Sequence, residues 1–338
     1  MRRICFTSVI RGDICLVAKQ WLVIEDTQEK LASKAKSEGT WNNINLHSSK
    51  YEEFCLTYSL DIYPASPDNL AHFVTHLFLE DKSYSTIKNY LSSVNTAQQM
   101  DGWPAIAPSI KVKLTLAGVK KLTALQTKQA RPITPIMLKR MASKVDPSSS
   151  EQLAAWAAIV VGFHLLLRKS NLVPNTTNSY SQWRDLSRGS FRQSANMLLV
   201  KYSWSKTNQY GKQTIVPLAP NNTMACPVFV METLAKAAPA PAHKHAFSYM
   251  DKQGGLRPLT YNQLQFWLKR WVRQIGLNER FYSTHSLRRG GATEAFRSNL
   301  PPTAIKMLGD WASECFQEYI KVSLNDRIKT ARYLAELF

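Results

Sequence analysis

His285-Ser286-Leu287-Arg288-Arg289-Gly290-Gly291 is followed, 31 positions beyond Arg288, by Tyr319 at the end of the run Gly309-Asp310-Trp311-Ala312-Ser313-Glu314-Cys315-Phe316-Gln317-Glu318-Tyr319. Ser286 to Ser298 reads as a helix, so His285 and Arg288 fall one turn apart on one face. An imidazole and a guanidinium so placed can face one phosphate together, and a tyrosine brought to the same place can attack it. Between them, Pro302 to Leu308 reads as a short helix opened by a proline pair suited to a first turn.

Charge points to a polyanion. Lys and Arg number 43 against 24 Asp and Glu, a net charge of +19 in 338 residues, enough to cover a nucleic acid backbone. The bland alternative is a generically basic soluble protein. Five scattered cysteines, Cys5, Cys15, Cys55, Cys226 and Cys315, show no C-x-x-C spacing, which argues against a disulfide framework or zinc knuckle and for an intracellular protein. The apolar stretch after Met1-Arg2-Arg3 is interrupted by Arg11, Gly12 and Asp13, so no signal peptide is expected. The longest apolar run, Leu153 to Leu167, holds Gly162 and His164 and is too short to span a bilayer. A soluble protein without a membrane partner is expected.

Helical signals dominate residues 40 to 125. Thr40 and Asn42 open one candidate, Ser66-Pro67-Asp68 opens a stretch through Leu79, Ser83 to Ser85 opens Thr86 to Gln99, and Lys111 to Leu125 forms a basic helix. Residues 1–39 form an N-terminal extension with no clear reading. Residues 126–135, with Pro132 and Pro135, read as an extended linker. Beyond it come helices from Thr134 to Lys144 and Gln152 to Leu167, then two β-type runs, Met197 to Val200 and Gln213 to Leu218, around the turn Trp204-Ser205-Lys206-Thr207-Asn208-Gln209. Helices return from Tyr261 to Ile275. The fold class expected is mainly α with a small β-ribbon. Residues 320–338 carry apolar positions at helical spacing, Ile320, Leu324, Ile328, Ala331 and Ala335, an amphipathic tail.

Four boxes in order resemble the tyrosine recombinase (phage integrase) family over roughly residues 40 to 338. They are Leu167-Arg168-Lys169-Ser170-Asn171-Leu172, where Asn171 stands at the family's acid; Lys206 in the ribbon turn with Thr214-Ile215-Val216-Pro217-Leu218 after it; His285-x-x-Arg288; and Tyr319. The Gly309-x-Trp311-x-Ser313 arrangement and the Ser205-Lys206-Thr207 turn look more like the DIRS-like and Crypton recombinases of eukaryotic mobile elements than bacterial Xer or phage enzymes. The resemblance implies an all-helical, SAM-like core-binding domain (40–125) and a mixed α/β catalytic domain (136–338). It implies a DNA integrase of a transposable element that cleaves and rejoins double-stranded DNA through a phosphotyrosyl intermediate, without metal, ATP or other cofactor. It also implies a homo-tetramer on synapsed DNA joined through the 320–338 tail, and a nuclear location if the element is eukaryotic.

The roles follow the chemistry. Arg168 and Arg288 are planar guanidiniums suited to clamp a phosphoryl oxyanion, Tyr319 is the nucleophile, His285 accepts its proton and Lys206 protonates the leaving oxygen. Where the family has His or Trp after a Gly, this chain has Asp310, with Trp311 beside it; either Trp311 takes the role or the site runs without that hydrogen bond. Each residue also has a bland reading: Arg168 as a helix C-terminal cation, Lys206 as a turn lysine with Lys201 or Lys212 as the acid, His285 as a cap, Arg288 or Arg289 as a solvated charge, Tyr319 as half-buried core. His72 and His76 have metal-like helical spacing but no H-E-x-x-H, and read as a surface or core pair. A catalytically silent DNA-binding module and, less well, a type IB topoisomerase are the alternatives.

Overall fold

A computed structural model describes residues 11–107, 109–123, 130–182, 184–204, 211, 213–311 and 313–335. They divide into two compact units, within 1–127 and within 128–338.

The first unit is helical: α1 (Arg11–Lys34), α2 (Glu38–Thr57), α3 (Pro67–Leu79), α4 (Tyr84–Met100) and α5 (Ile110–Thr123). Serines set three of the starts. Ser37, Ser66 and Ser83 each accept from the backbone N–H three residues on, at 3.3, 3.1 and 3.2 Å, a contribution of about 1 kcal/mol per cap. The cap at Ser37 is why α2 begins before Thr40, the start expected from sequence. The core is aromatic and aliphatic, with Tyr51, Phe73, Val74, Leu77, Ile87 and Val94 fully buried. The stretch least interpretable in sequence forms α1, whose described side chains from Ala18 to Lys34 are all exposed.

In the second unit, α6 (Pro135–Ala142), capped by Thr134, precedes α7 (Ser150–His164), which is buried from Leu153 to Phe163. A helix apolar on every side is a core helix, and here the helices at Pro227–Ala237, Tyr261–Gln274 and His285–Arg297 and the strand Ser248–Met250 pack around it. After the four-residue α8 (Lys169–Leu172) come β1 (Phe191–Ser194), β2 (Met197–Tyr202) and β3 (Thr214–Leu218), an antiparallel sheet in the order β1-β2-β3. Leu198, Val200 and Tyr202 alternate inward and pair in register with Leu218, Val216 and Thr214. The ribbon expected from sequence therefore gains a third strand, and β3 starts at Thr214 rather than Gln213. Then follow α9 (Pro227–Ala237), the hairpin β4 (Ser248–Met250) and β5 (Leu256–Pro258), and α10 (Tyr261–Gln274), α11 (His285–Arg297), α12 (Pro302–Gly309), a 3-10 turn over Glu314–Tyr319 and α13 (Leu324–Ala335).

Glycines bring α11 close to its neighbours. A Cβ at Gly290 would collide with the Ile133 carbonyl oxygen, and one at Gly291 with the Phe163 carbonyl oxygen and the Leu166 side chain. Among the described residues no helix is long and apolar enough to cross a membrane.

Candidate active site

The turn after α7 carries Arg168. Leu166 adopts φ 51, the left-handed region, which reverses the chain so that Arg168 emerges extended at the start of α8. Arg168 is thus not a helix C-terminal cation.

Arg288, on the second turn of α11, is 1% exposed and donates through Nη1 to the carbonyl of Leu166. One hydrogen bond thereby ties it to the turn that carries Arg168. Its Nε and Nη2 have no hydrogen-bond partner among the described residues. Burial first, and repulsion by Arg168 second, lower its pKa to about 10, so it stays protonated at neutral pH.

Trp311 lies on Arg288, with the guanidinium carbon 3.7 Å from the ring centroid. Two features of the chain aim it there. Asp310 takes φ 50 as the cap that ends α12, and a Cβ at Gly309 would fall inside the indole ring. Trp311 is 5% exposed and its Nε1 also has no partner among the described residues. Its ring meets Tyr319 edge-on, at 5.3 Å and 62°.

Tyr319 ends a 3-10 turn anchored by buried Phe316 and capped by Ser313. Its ring is 5.2 Å from the Arg288 guanidinium and 6.0 Å from that of Arg289. Leu166, Ala292, Ile305, Trp311 and Phe316 form a small separate core, against which Tyr319 packs.

His285 is the first residue of α11, after Thr284 at the cap position. It lines a cavity of about 270 Å³ with Tyr319, Arg289, Glu318, Ser283 and Ala130. Partial burial first, then the charges of Arg288, Lys169, Arg289 and Arg168, hold its pKa below the ordinary value. The imidazole is therefore neutral at pH 7 and able to accept a proton.

The structure thus brings Arg168, Arg288, His285, Trp311 and Tyr319 to one place. Lys206 lies outside the described residues, as does Lys212; Lys201 is exposed on β2. What the structure does describe is the root of that turn, where Asn171, 5% exposed, donates from Nδ2 to the Trp204 carbonyl at 2.9 Å. The amide that replaces the family's acid is the group with a proton to give. Sequence reasoning missed two cations. Arg289, given only the bland reading of a solvated charge, walls the cavity, and Lys169 sits over the Tyr261 ring at 3.9 Å while its charge reaches His285. Their adjacency to Arg288 and Arg168 was the available signal.

Elsewhere, His76 pairs with Glu80 at 3.3 Å, and Lys50 meets the same carboxylate. Among the described residues no group of three or more His, Cys, Asp or Glu could hold a metal ion.

A mostly helical chain with small antiparallel sheets and this clustering has the fold of the tyrosine recombinases. The Tn1549 transposon integrase, solved with transposon right-end DNA, matches with a TM-score of 0.60 and 15% identity over 91% of this chain and 98% of that one. The lambda integrase dimer bound to a COC′ core site matches at 0.54 and 16%, over 90% and 94%. The XerH recombinase in a post-cleavage complex with palindromic difH substrate matches at 0.58 and 15%, over 85% and 76%. Among curated proteins, the xerD-homologous integrase/recombinase of Selenomonas ruminantium is 22% identical over 278 residues, 80% of this chain and 78% of that protein. No protein-family model matches the sequence. The relative and the shared fold together support the tyrosine recombinase/integrase family.

Proposed function

We propose that this protein is a site-specific DNA recombinase or integrase that cleaves and rejoins duplex DNA through a 3′-phosphotyrosyl intermediate. The observation that carries this reading is the set of buried donors beside Tyr319 that have no hydrogen-bond partner among the described residues: Arg288 Nε and Nη2 and Trp311 Nε1. Buried polar groups are nearly always satisfied, and buried guanidinium and indole N–H groups without an acceptor are costly. A scissile phosphate supplies such acceptors together with negative charge.

In the proposed reaction the Tyr319 hydroxyl oxygen bonds to phosphorus while the bond to the 5′ oxygen breaks. The tyrosine proton passes to neutral His285, and Lys206 gives a proton to the departing 5′ oxygen. Arg168 and Arg288 hold the non-bridging oxygens, with the Trp311 face fixing Arg288. Reversal with a different 5′ hydroxyl exchanges strands, and no metal, ATP or other cofactor enters. The helical unit, at residues 40–125, and the catalytic unit both bind duplex DNA through phosphate contacts, in keeping with the +19 charge. The tail from 320 docks on a neighbouring protomer in a tetramer; in support, Leu324 is 73% exposed on α13 while Arg297 holds Asp326 near the helix start at 3.0 Å. The Gly309-x-Trp311-x-Ser313 pattern favours a DIRS- or Crypton-type mobile element, whose recombinase acts in a nucleus.

The test is a nicked suicide DNA substrate carrying the element's ends, comparing the native chain with Tyr319→Phe on a denaturing gel. A covalent band lost in the variant supports the proposal. Binding without a band indicates a silent DNA-binding module, and relaxation of supercoils without four-way junctions indicates a topoisomerase.

A further inference from the structure

We infer that Arg289 is a further DNA-contacting residue of the proposed active site: in the cavity beside Tyr319 its guanidinium binds the backbone phosphate that neighbours the scissile one. The inference rests on the recombinase reading and adds to it a second phosphate and the residue that holds it.

The cavity opens on this side chain. Arg289 follows Arg288 on α11, and successive side chains leave a helix about 100° apart, so the two guanidiniums serve different spaces. Arg288 is 1% exposed, tethered to the Leu166 carbonyl and covered by Trp311. Arg289 is half-buried and lines the cavity of about 270 Å³, whose wall among the described residues also holds Ala130, Ser283, His285, Glu318 and Tyr319. Both guanidiniums lie near the nucleophile, 5.2 and 6.0 Å from the centre of the Tyr319 ring. A strand that lays its scissile phosphate at Arg288 and the Tyr319 hydroxyl therefore lays a flanking phosphate at Arg289.

The wall is held in place from two sides. Thr293, 1% exposed, donates to the Arg289 carbonyl at 2.8 Å and accepts from the Lys321 amide at 3.1 Å, which fastens the segment carrying Tyr319 to the turn carrying Arg289. Ala130 is fixed by the residues after it: the Arg131 amide donates to the Phe281 carbonyl at 2.7 Å and the Ile133 amide to the Ser286 carbonyl at 3.0 Å. Ala130 and Ser283 are small and leave room for an anion.

Charge selects that anion. Arg289 is the permanent cation of the described wall, since its neighbour His285 is neutral at pH 7. Burial lowers the Arg289 pKa while Tyr319 and Glu318 raise it, and a guanidinium stays protonated through such shifts. Its planar fork suits two oxygens of one phosphate. Glu318, the acid of the wall, is exposed and weakens the attraction.

The test uses the full chain and a set of suicide substrates, each with one backbone phosphate near the cleavage site made neutral as a methylphosphonate. On the unmodified substrate Arg289→Ala is expected to form the covalent complex roughly tenfold to a hundredfold more slowly at limiting protein. Arg289→Lys should recover most of that loss, because a single phosphate also accepts a point charge. Neutralising the flanking phosphate should slow the native chain by the same factor and Arg289→Ala no further. In salt titrations of binding, with Tyr319→Phe to block cleavage, adding Arg289→Ala should lower the slope by about one. Glu318→Gln should speed cleavage; a loss matching Arg289→Ala would mean that Arg289 serves only the turn through that acid, and overturns the inference. Arg289→Ala at the native rate, or additive losses at every flanking phosphate, also overturns it. A native chain that forms no covalent band fails the recombinase reading itself and takes the inference with it.

Discussion

The guanidinium carbon of Arg288 lies 3.7 Å from the centroid of the Trp311 ring. Stacking of this kind holds a guanidinium by its face and leaves its edge, where the N–H groups are, for an oxyanion. A desolvated pair of this type contributes about 2 kcal/mol, or roughly thirtyfold in rate if it acts only in the transition state. Trp311→Ala is therefore expected to leave DNA affinity near native and to slow formation of the covalent complex by that factor in single-turnover assays.

Gly309 acts on the same pair without touching it. Because a Cβ there would fall inside the Trp311 ring, Gly309→Ala has to push the indole off Arg288. The variant should lose cleavage as Trp311→Ala does. The double change Gly309→Ala with Trp311→Ala should be no slower than Trp311→Ala alone, since the clash and the contact vanish together. Additive losses would mean that Gly309 serves another purpose.

In the proposed reaction His285 sets the acid limb. Its folded pKa is lowered, by burial and then by Arg288, Lys169, Arg289 and Arg168, so the neutral form needed to accept the Tyr319 proton persists below the ordinary histidine range. The cleavage rate should hold as pH falls to about 6.5 and decline only beneath it. His285→Gln should remove that limb from the pH profile and lower the plateau by about 10² to 10⁴.

Much of this site was legible in the sequence because its parts sit on elements with strong local signals. Ser66-Pro67 and the proline pair before α12 fix helix starts, and alternation fixes β2 and β3. What was not legible depends on contacts between distant segments. Whether Asp310 or Trp311 reaches Arg288 turns on the left-handed backbone at Asp310 and on the space above Gly309, which no periodicity encodes. The strand β1, with only Phe191 less than fully exposed, has no inward alternation to read. The hairpin β4-β5 is three residues a side, too short for a pattern. For α9 local signals do exist, Pro227 at the first turn and Val230, Met231 and Leu234 at helical spacing.

Asn171 links the Arg168 turn to the end of β2. Its amide donates to the Trp204 carbonyl from a buried position. Asn171→Asp keeps the shape but sets a carboxylate against that carbonyl, leaving a buried acceptor unpaired at a cost of about 1–3 kcal/mol. The variant should unfold at lower denaturant, with the deficit shrinking at acid pH where the carboxyl regains a proton. A deficit independent of pH would mean that the loss is one of packing.

His245 makes stability depend on pH away from the reaction. It is 1% exposed, with Nε2 bonded to the Leu172 carbonyl at 3.1 Å and Nδ1 accepting from the Phe247 amide at 3.2 Å, which uses both nitrogens of a neutral ring. Burial lowers its pKa from 6.5 to about 3. The folded state therefore binds fewer protons than the unfolded state between those values, and stability is full above 6.5 and lost as pH falls towards 3. The slope approaches about 1.4 kcal/mol per pH unit for one proton. Chemical denaturation from pH 7 to pH 5 should show the native chain losing stability faster than His245→Gln by that one-proton slope, although the variant starts lower at pH 7. Parallel curves would mean that His245 gains its proton in the folded chain.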